Sequence, residues 1–243
     1  MSIADISERN VQEWITGLQK QGTLAPKTIH NMWKILKLVM GKASREWRVR
    51  LPEVPETEQR YFTPEEVGKI IGAAKGQYVS FFALQFATGM RFGEIAGLHV
   101  DDLDFKESVI HIRRSTHPSQ EVTPKSKAGH REVDVDPEVL KLVKEHIGDR
   151  QVGRVFESKN GTPLVCNNVN RHVLKPIYKE VGIPIGTTHA FRHGRVSVLQ
   201  QNSVPDDLIK RWVGHTSLKT TSKYSHFTKE FRKGIASSLG KAS

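Results

Sequence analysis

Cysteine is nearly absent from this sequence: Cys166 is the only one. An intramolecular disulfide is therefore excluded, and so is a zinc site built from several cysteines. Long apolar runs are lacking too, since stretches such as Tyr78–Ala87 are far shorter than a membrane span requires. The first residues also lack the apolar segment of a signal peptide. These absences predict a cytoplasmic protein.

Acidic residues are the scarcer charge. The chain has 37 Lys and Arg against 26 Asp and Glu, which gives a net charge of +11. Such an excess favours a polyanionic partner, because Lys and Arg neutralise phosphates and release condensed counterions. A generally basic protein without a nucleic-acid role has the same composition, so charge alone leaves both interpretations open. The nucleic-acid interpretation predicts a nucleoid-associated protein.

The chain is predicted to have three parts. Residues 1–50 contain two amphipathic helices, the first capped by Ser7 and the second beginning at Pro26. Residues 51–60 are rich in proline and polar side chains, which is typical of a linker. Residues 61–243 form the larger domain.

The second helix carries a polar row at spacing i, i+4, i+7, formed by Lys27, Asn31 and Lys34. Such a row is either an ordinary solvated face or a face that lies in a DNA groove. The spacing itself does not decide between the two.

The larger domain is predicted to be mainly helical, with a small antiparallel sheet. It opens with the capping box of Thr63 and Glu66, and two or three helices follow to about Leu98. β-branched residues and turn signals predict strands at Ser108–Ser115, Gln120–Pro124 and Arg131–Val135. The last two are predicted to pair as a hairpin. Helices then continue from Asp136, so the fold class is α+β.

Several polar groups of this domain are candidates for chemistry. Arg91 and Glu94 stand three residues apart, either as a surface ion pair or as a guanidinium held to bind a phosphate. His189, Arg192 and His193 share one helical turn. The two histidines have a metal-ligand spacing, but Ala190 replaces the expected acid, so an anion site is favoured over a metal site. Taken alone, the segment also fits an ordinary amphipathic helix.

Tyr224 stands near the end of a predicted helix that follows Gly-His215-Thr-Ser. A tyrosine at a helix end ordinarily serves packing. The order of the candidate groups is more specific than any of them alone. The motifs Thr-Gly-x-Arg-x-x-Glu, His-x-x-Arg and Gly-His-Thr-Ser-x-x-Thr-Thr-x-x-Tyr closely resemble those of the phage-integrase, or tyrosine recombinase, family. The resemblance runs from about Thr63 to Tyr224.

The resemblance implies a role for each matching position. Arg91 and Arg192 look like the pair that clamps the scissile phosphate, and Glu94 like the acid that supports the site. Tyr224 looks like the nucleophile.

Two histidines and a lysine complete the implied catalytic set. His189 resembles the acid–base histidine, and His215 a second phosphate contact. Lys127 looks like the general acid. Lys125 is the alternative for that role and otherwise a DNA contact. His193 is either a supporting partner of these groups or an ordinary core residue.

The implied function is site-specific cleavage and rejoining of DNA through a covalent 3′-phosphotyrosine, with no metal, ATP or other cofactor. The implied partners are double-stranded DNA attachment sites, a tetramer assembled on DNA from free monomers, and accessory DNA-bending proteins. A non-catalytic or truncated DNA-binding relative and a type IB topoisomerase-like activity are the alternatives.

The two ends of the chain raise separate expectations. Residues 1–50 resemble only part of the family's core-binding domain. A tail helix after Tyr224 carries an apolar residue every four positions, and it packs on its own domain or on a neighbouring protomer. The apolar residues of this tail are Phe227, Phe231, Ile235 and Leu239.

Overall fold

The structure is a computed structural model that describes residues 5–55, 60–116, 121–122 and 130–214. The chain divides into two compact units, Met1–Glu58 and Gln59–Ser243. Within the described residues, no helix is both long and apolar enough to cross a bilayer.

The first unit is built on two helices, α1 (Glu8–Gln21) and α2 (Pro26–Met40), and a short 3-10 turn follows α2. Ser7 caps α1, as the sequence predicts: its hydroxyl accepts the Asn10 amide at 3.3 Å. Pro26 is the first residue of α2. The apolar faces of the helices meet in a small core of four buried residues: Val11, Ile15, Ile29 and Trp33.

The chain after α2 returns to the first unit. Trp47 stacks on Trp33, with ring centroids 6.4 Å apart. Leu51 packs against the small core, and the Pro52 carbonyl lies 2.7 Å from Nε2 of His30. Leu51 and Pro52, which the sequence assigns to the linker, therefore contact the first unit, because one supplies an apolar side chain and the other a hydrogen-bonded carbonyl.

The second unit is mainly helical. Thr63 and Glu66 form the predicted capping box at the start of its first helix. Asp136 caps the helix predicted after the sheet, where its side chain accepts the Glu138 amide at 2.8 Å. One π-helical turn, Asn170–Leu174, joins α7 to α8. The helices of this unit are α3 (Pro64–Ala73), α4 (Gln77–Thr88), α5 (Phe92–Ala96), α6 (Pro137–Ile147), α7 (Cys166–Val169), α8 (Lys175–Val181), α9 (Thr188–Gln201) and α10 (Asp206–Val213).

In the described part of this unit, five short strands accompany the helices: β1 (Leu103–Asp104), β2 (Val109–Ile112), β3 (Ser115–Thr116), β4 (Glu121–Val122) and β5 (Arg131–Asp134). They form an antiparallel sheet of order β1-β2-β5 and a separate antiparallel pair, β3-β4. A mainly helical α+β fold with a small antiparallel sheet is thus confirmed.

The predicted hairpin between Gln120–Pro124 and Arg131–Val135 is wrong. β4 pairs with β3, where Thr116 lies opposite Glu121, while β5 pairs with β2. The pairing of β2 with β5 sets Ile110 opposite Val133, and both side chains are buried in the main core. Burial of these apolar side chains is the physical reason for the observed register.

The core of the second unit is centred on α4, which packs against α3, α6 and α9. Its Phe82 ring stacks on Phe191 of α9, with ring centroids 5.2 Å apart. A Cβ on Gly194 would overlap the Phe62 carbonyl oxygen, so a side chain there is excluded. The Phe62 amide also donates to the Ala190 carbonyl at 3.2 Å. These contacts set the position of α9, which carries the candidate histidines.

Candidate active site

Four of the predicted catalytic and supporting residues lie in the described part of the second unit: Arg91, Glu94, His189 and Arg192. The other predicted site residues of this unit lie outside the described residues: Lys125, Lys127, His215 and Tyr224. So does the tail helix. In the first unit, the polar row that is a candidate for DNA binding is exposed along α2: Lys27, Asn31 and Lys34.

Arg91 and Glu94 meet at the start of α5. Arg91 occupies the position before the helix, and its amide donates to Oε2 of Glu94 at 2.8 Å. Its Nη1 donates to Oε1 of the same carboxylate at 2.9 Å. The Glu94 side chain is 6% exposed and that of Arg91 42%. The carboxylate is thus inside the protein, while the guanidinium it holds remains accessible to an anion.

Arg131, at the start of β5, is a site residue that the sequence reasoning missed. Its Nη1 and Nη2 donate to the two oxygens of Glu94 at 3.0 and 2.9 Å, which is a bidentate ion pair. The Arg131 side chain is only 7% exposed. No local signal marks it, because Glu94 is distant in sequence and arginine is common in this basic chain.

Glu94 is ionised within this cluster. Burial by itself would raise the pKa of its carboxyl group. The hydrogen bond and charge of Arg131, together with the charge of Arg91, outweigh that effect and hold the pKa below its usual value. The cluster of two guanidiniums and one carboxylate therefore keeps one net positive charge at neutral pH.

Arg192 projects from α9 and is 2% exposed. Its Nη1 donates to the Gly89 carbonyl at 2.8 Å and also to the Val213 carbonyl. It therefore joins the end of α4 to the end of α10. At the start of α9, Thr187 occupies the cap position, but its side chain makes no capping bond. Asn170 supplies the acceptor instead, since its Oδ1 accepts the Thr188 amide at 3.0 Å.

His189 and His193 lie on the first turns of α9, with ring centroids 4.8 Å apart. Partial desolvation, together with the positive charges of Arg192 and Arg91, lowers the pKa of His189, and the residue still has exposed surface. His193 is buried, and burial with the nearby His189 and Arg192 lowers its pKa to about 4. Among the described residues, no group of three or more His, Cys, Asp or Glu side chains is arranged to hold a metal ion.

Three arginines from separate elements converge on the end of α10. Arg91 donates to the Gly214 carbonyl at 2.6 Å, and Arg131 donates to those of Trp212 and Val213 at 2.9 and 3.2 Å. Arg192 shares the Val213 carbonyl. The last carbonyls of a helix lack partners inside the helix and carry partial negative charge, so cations are favoured there. This cluster lies directly before His215.

Gly214 is required at this point for two reasons. It ends α10 with φ of 68°, in the left-handed region that favours glycine. A Cβ on it would also lie 2.6 Å from Nη1 of Arg131. The end of α10 therefore lies directly against the Arg131 guanidinium.

The model of the phage integrase family matches residues 60–230 of this chain. That match covers most of the sequence and includes every element of the arginine cluster. The chain belongs to the phage integrase family. The predicted family is thereby confirmed, and with it the class of tyrosine-type site-specific recombinase. Family membership supports site-specific DNA recombination.

Curated phage integrase relatives include cellular and viral proteins. A tyrosine recombinase XerC-like protein of Caldanaerobacter subterraneus subsp. tengcongensis is 27% identical, over 93% of this chain and 68% of its own length. The integrase of Staphylococcus phage L54a is 26% identical over 65% of this chain, and the tyrosine recombinase XerA of Pyrococcus furiosus 25% over 74%. The chain spans only 50% and 62% of the lengths of these last two relatives.

Solved structures of a transposon integrase and of a recombinase share the fold. The Tn1549 transposon integrase, in complex with transposon right end DNA, aligns over 99% of this chain and 87% of its own, with a TM-score of 0.80 and 20% identity. The XerA recombinase aligns over 98% of this chain and 85% of its own, with a TM-score of 0.61 and 20% identity. At this identity, the likeness shows the fold alone.

Proposed function

We propose that this chain is a recombinase that cleaves and rejoins DNA strands at specific sites through a covalent 3′-phosphotyrosine formed by Tyr224. The observation that carries the proposal is the cluster of Arg91, Arg131 and Arg192 on the carbonyls at the end of α10. A cluster of guanidiniums is suited to neutralise the negative charge of the phosphodiester that the proposed reaction cleaves. The chain continues from it directly into His215.

Arg91 is the first phosphate ligand in this proposal. A phosphodiester is anionic and repels a nucleophile, and its pentavalent transition state carries more charge, so cations that are already in place lower the barrier. Arg91 is half-exposed, and its hydrogen bonds to Glu94 and to the Gly214 carbonyl use one N–H of each terminal nitrogen. Its remaining N–H groups are suited to bind two phosphate oxygens. Arg192 is buried, so its engagement with the phosphate requires a rearrangement around it when DNA binds.

The chemical step exchanges one ester for another. The Tyr224 oxygen attacks phosphorus, and His189, whose lowered pKa keeps the imidazole neutral near pH 7, accepts the phenolic proton. The bond from phosphorus to the 5′ oxygen breaks, and the ammonium group of Lys127, or of Lys125, protonates the leaving oxygen. A 5′ hydroxyl of another strand then attacks the phosphotyrosine, and the same proton transfers run in reverse.

This sequence of steps needs neither ATP nor a metal. The phosphotyrosine keeps the energy of the phosphodiester, and the arginines neutralise the negative charge on the phosphate that a metal ion neutralises in other phosphoryl-transfer enzymes. The proposed partners are double-stranded attachment sites, on which free monomers assemble as a tetramer. Accessory DNA-bending proteins assist that assembly. The row of Lys27, Asn31 and Lys34 and the segment with Lys125 are proposed to contact the DNA backbone.

The proposal is tested by covalent capture. A library of duplexes with randomised sequence and a nick beside the candidate scissile position is incubated with the protein, and complexes that survive denaturation are recovered and sequenced. The nick lets the short leaving strand diffuse away, so the covalent complex accumulates. Tyr224→Phe is the test variant. Tyr178→Phe is the matched control, because the Tyr178 hydroxyl is buried in α8.

Wild type and Tyr178→Phe are expected to give the covalent band, and Tyr224→Phe is expected to bind DNA without giving it. Confirmed binding of recovered sites with no covalent band in wild type would identify a non-catalytic DNA-binding relative. Relaxation of supercoiled DNA without exchange between two sites would instead favour the topoisomerase-like alternative.

A further inference from the structure

We infer that Arg131 is a positioning residue of the cleavage reaction: it holds the Arg91–Glu94 pair and the end of α10 in one arrangement. The inference rests on the proposed function, because the group it positions is the phosphate ligand Arg91. It adds to the site a residue that has no predicted role in the sequence and that lies outside the motifs carrying the family resemblance.

The side-chain hydrogen bonds of Arg131 to other described residues all go to the site. Its Nη1 and Nη2 bind the Glu94 carboxylate, and its Nε donates to the Trp212 carbonyl at 2.9 Å. Nη2 also reaches the Val213 carbonyl at 3.2 Å. Because each of the three nitrogens is used and the side chain is nearly buried, the guanidinium has no freedom to bind substrate itself. It acts through the groups it holds.

The charge of Arg131 determines how much of the positive charge of Arg91 is available to a bound phosphate. Arg91, Glu94 and Arg131 together carry one net positive charge. Without the guanidinium of Arg131, the buried Glu94 has Arg91 as its remaining described ion-pair partner, and that pair is neutral. An incoming phosphate would then compete with Glu94 for Arg91. Arg131 therefore frees Arg91 for the substrate by sharing the carboxylate.

The same guanidinium holds the backbone that leads to His215. Gly214 approaches it so closely that a Cβ would lie 2.6 Å from Nη1. The carbonyls before Gly214 are bound by Arg131, and that of Gly214 by Arg91. A displaced Arg131 side chain would release both the phosphate ligand and the turn at Gly214 at once. The cluster thus works as one unit.

The test compares cleavage of two substrates by Arg131→Gln, Arg131→Lys and a matched control, Arg150→Gln. Arg150 also donates to three backbone carbonyls, those of Ile147, Arg154 and Val155, and none of them belongs to the site. One substrate carries the natural scissile phosphodiester. The other carries a methylphosphonate at that position, in which a methyl group replaces one oxygen and the reacting group is neutral.

Arg131→Gln is expected to lower the rate of covalent-complex formation on the phosphodiester by about 100-fold, as the loss of a transition-state charge contact does. On the methylphosphonate the deficit is expected to shrink to about tenfold or less, because a neutral group needs less charge compensation. Arg131→Lys restores the charge without the bidentate geometry and should fall between Arg131→Gln and wild type. Arg150→Gln should affect both substrates alike.

Equal deficits of Arg131→Gln on the two substrates would show a general structural defect and overturn the inference. So would wild-type rates in that variant. A wild-type protein that forms no covalent complex on the phosphodiester overturns the proposed function and the inference with it. If the wild type is active and Arg131→Gln slows both substrates equally, the inference about Arg131 is overturned and the proposed function is not.

Discussion

Two buried ionisable residues of the site, Glu94 and His193, differ in their charge, although burial disfavours the charged form of both. Glu94 stays charged, because the two guanidiniums of Arg131 and Arg91 surround its carboxylate. His193 stays neutral, because burial and the nearby His189 and Arg192 disfavour its imidazolium form. A buried ionisable group is either charged and paired with an opposite charge, or neutral. The groups within a few ångströms of it decide which form is favoured.

His193 gives the first prediction, which concerns stability against pH. The folded-state pKa of about 4 lies below the ordinary value of 6.5, so the unfolded chain binds this proton at a higher pH than the folded protein does. The free energy of unfolding should therefore fall as the pH drops from about 6.5 towards 4. His193→Gln should remove this pH-dependent fall in the free energy of unfolding. The pKa difference corresponds to about 1–3 kcal/mol.

The measurement is urea unfolding at several pH values across that window. The slope of unfolding free energy against pH should be flatter for His193→Gln than for wild type. His172→Gln, at an exposed histidine of the same unit, controls for the removal of an imidazole as such. A His193→Gln slope as steep as that of wild type would contradict the assigned pKa.

Among the elements, α10 holds the arginine cluster together, because the carbonyls at its C-terminal end accept hydrogen bonds from Arg91, Arg131 and Arg192. It supplies aligned backbone dipoles and a glycine small enough for the guanidinium of Arg131 to approach. Its last turn is therefore the point where α5, β5 and α9 are tied together.

At the same scale, α2 offers a test of DNA contact. Lys27 and Lys34 lie exposed on its polar face, which the proposed function assigns to the DNA backbone. The double variant Lys27→Ala/Lys34→Ala should weaken DNA binding and reduce the slope of log affinity against log salt by about 2, since each phosphate contact contributes about 0.9.

The affinity is measured by titration of a recovered site at several salt concentrations. Lys69→Ala/Lys141→Ala, which removes two exposed lysines from α3 and α6, is the charge-matched control. If both double variants reduce the salt slope equally, the effect belongs to net charge and α2 is not the contact surface.

Strand pairing shows where sequence reasoning about elements failed. The sequence predicts strands that overlap β2, β4 and β5, but it predicts none at β1, and it pairs the segments of β4 and β5 with each other. Turn residues such as Gly129 suggest a reversal locally, whereas pairing is decided by the apolar side chains that reach the core together. Ile110 and Val133 meet in that core only when β2 pairs with β5.

For the whole molecule, the net charge of +11 agrees with a polyanionic substrate, and the proposed mechanism uses protein cations throughout. Covalent-complex formation should therefore continue unchanged in excess EDTA and without ATP. The measurement is the rate of appearance of the denaturation-resistant band, with and without chelator. A loss of the band in EDTA that is restored by added magnesium would contradict this mechanism.

The sequence by itself determined the family and the fold class. Helix signals are local, so Ser7, Pro26 and the capping box at Thr63 marked helix starts correctly. The motifs identified the family because their order along the chain is more specific than any single residue. The roles of Arg91, His189 and Arg192 remain predictions, as do those of Lys127, His215 and Tyr224, which lie outside the described residues.

Only the tertiary structure decided which groups share the site. Arg131 joins it through Glu94 and the carbonyls of α10, partners that are remote along the chain. The Thr188 amide is capped by Asn170 rather than by a neighbouring threonine for the same reason. Contacts between distant segments depend on how the whole unit packs. Such contacts produce no periodic or local pattern in the sequence.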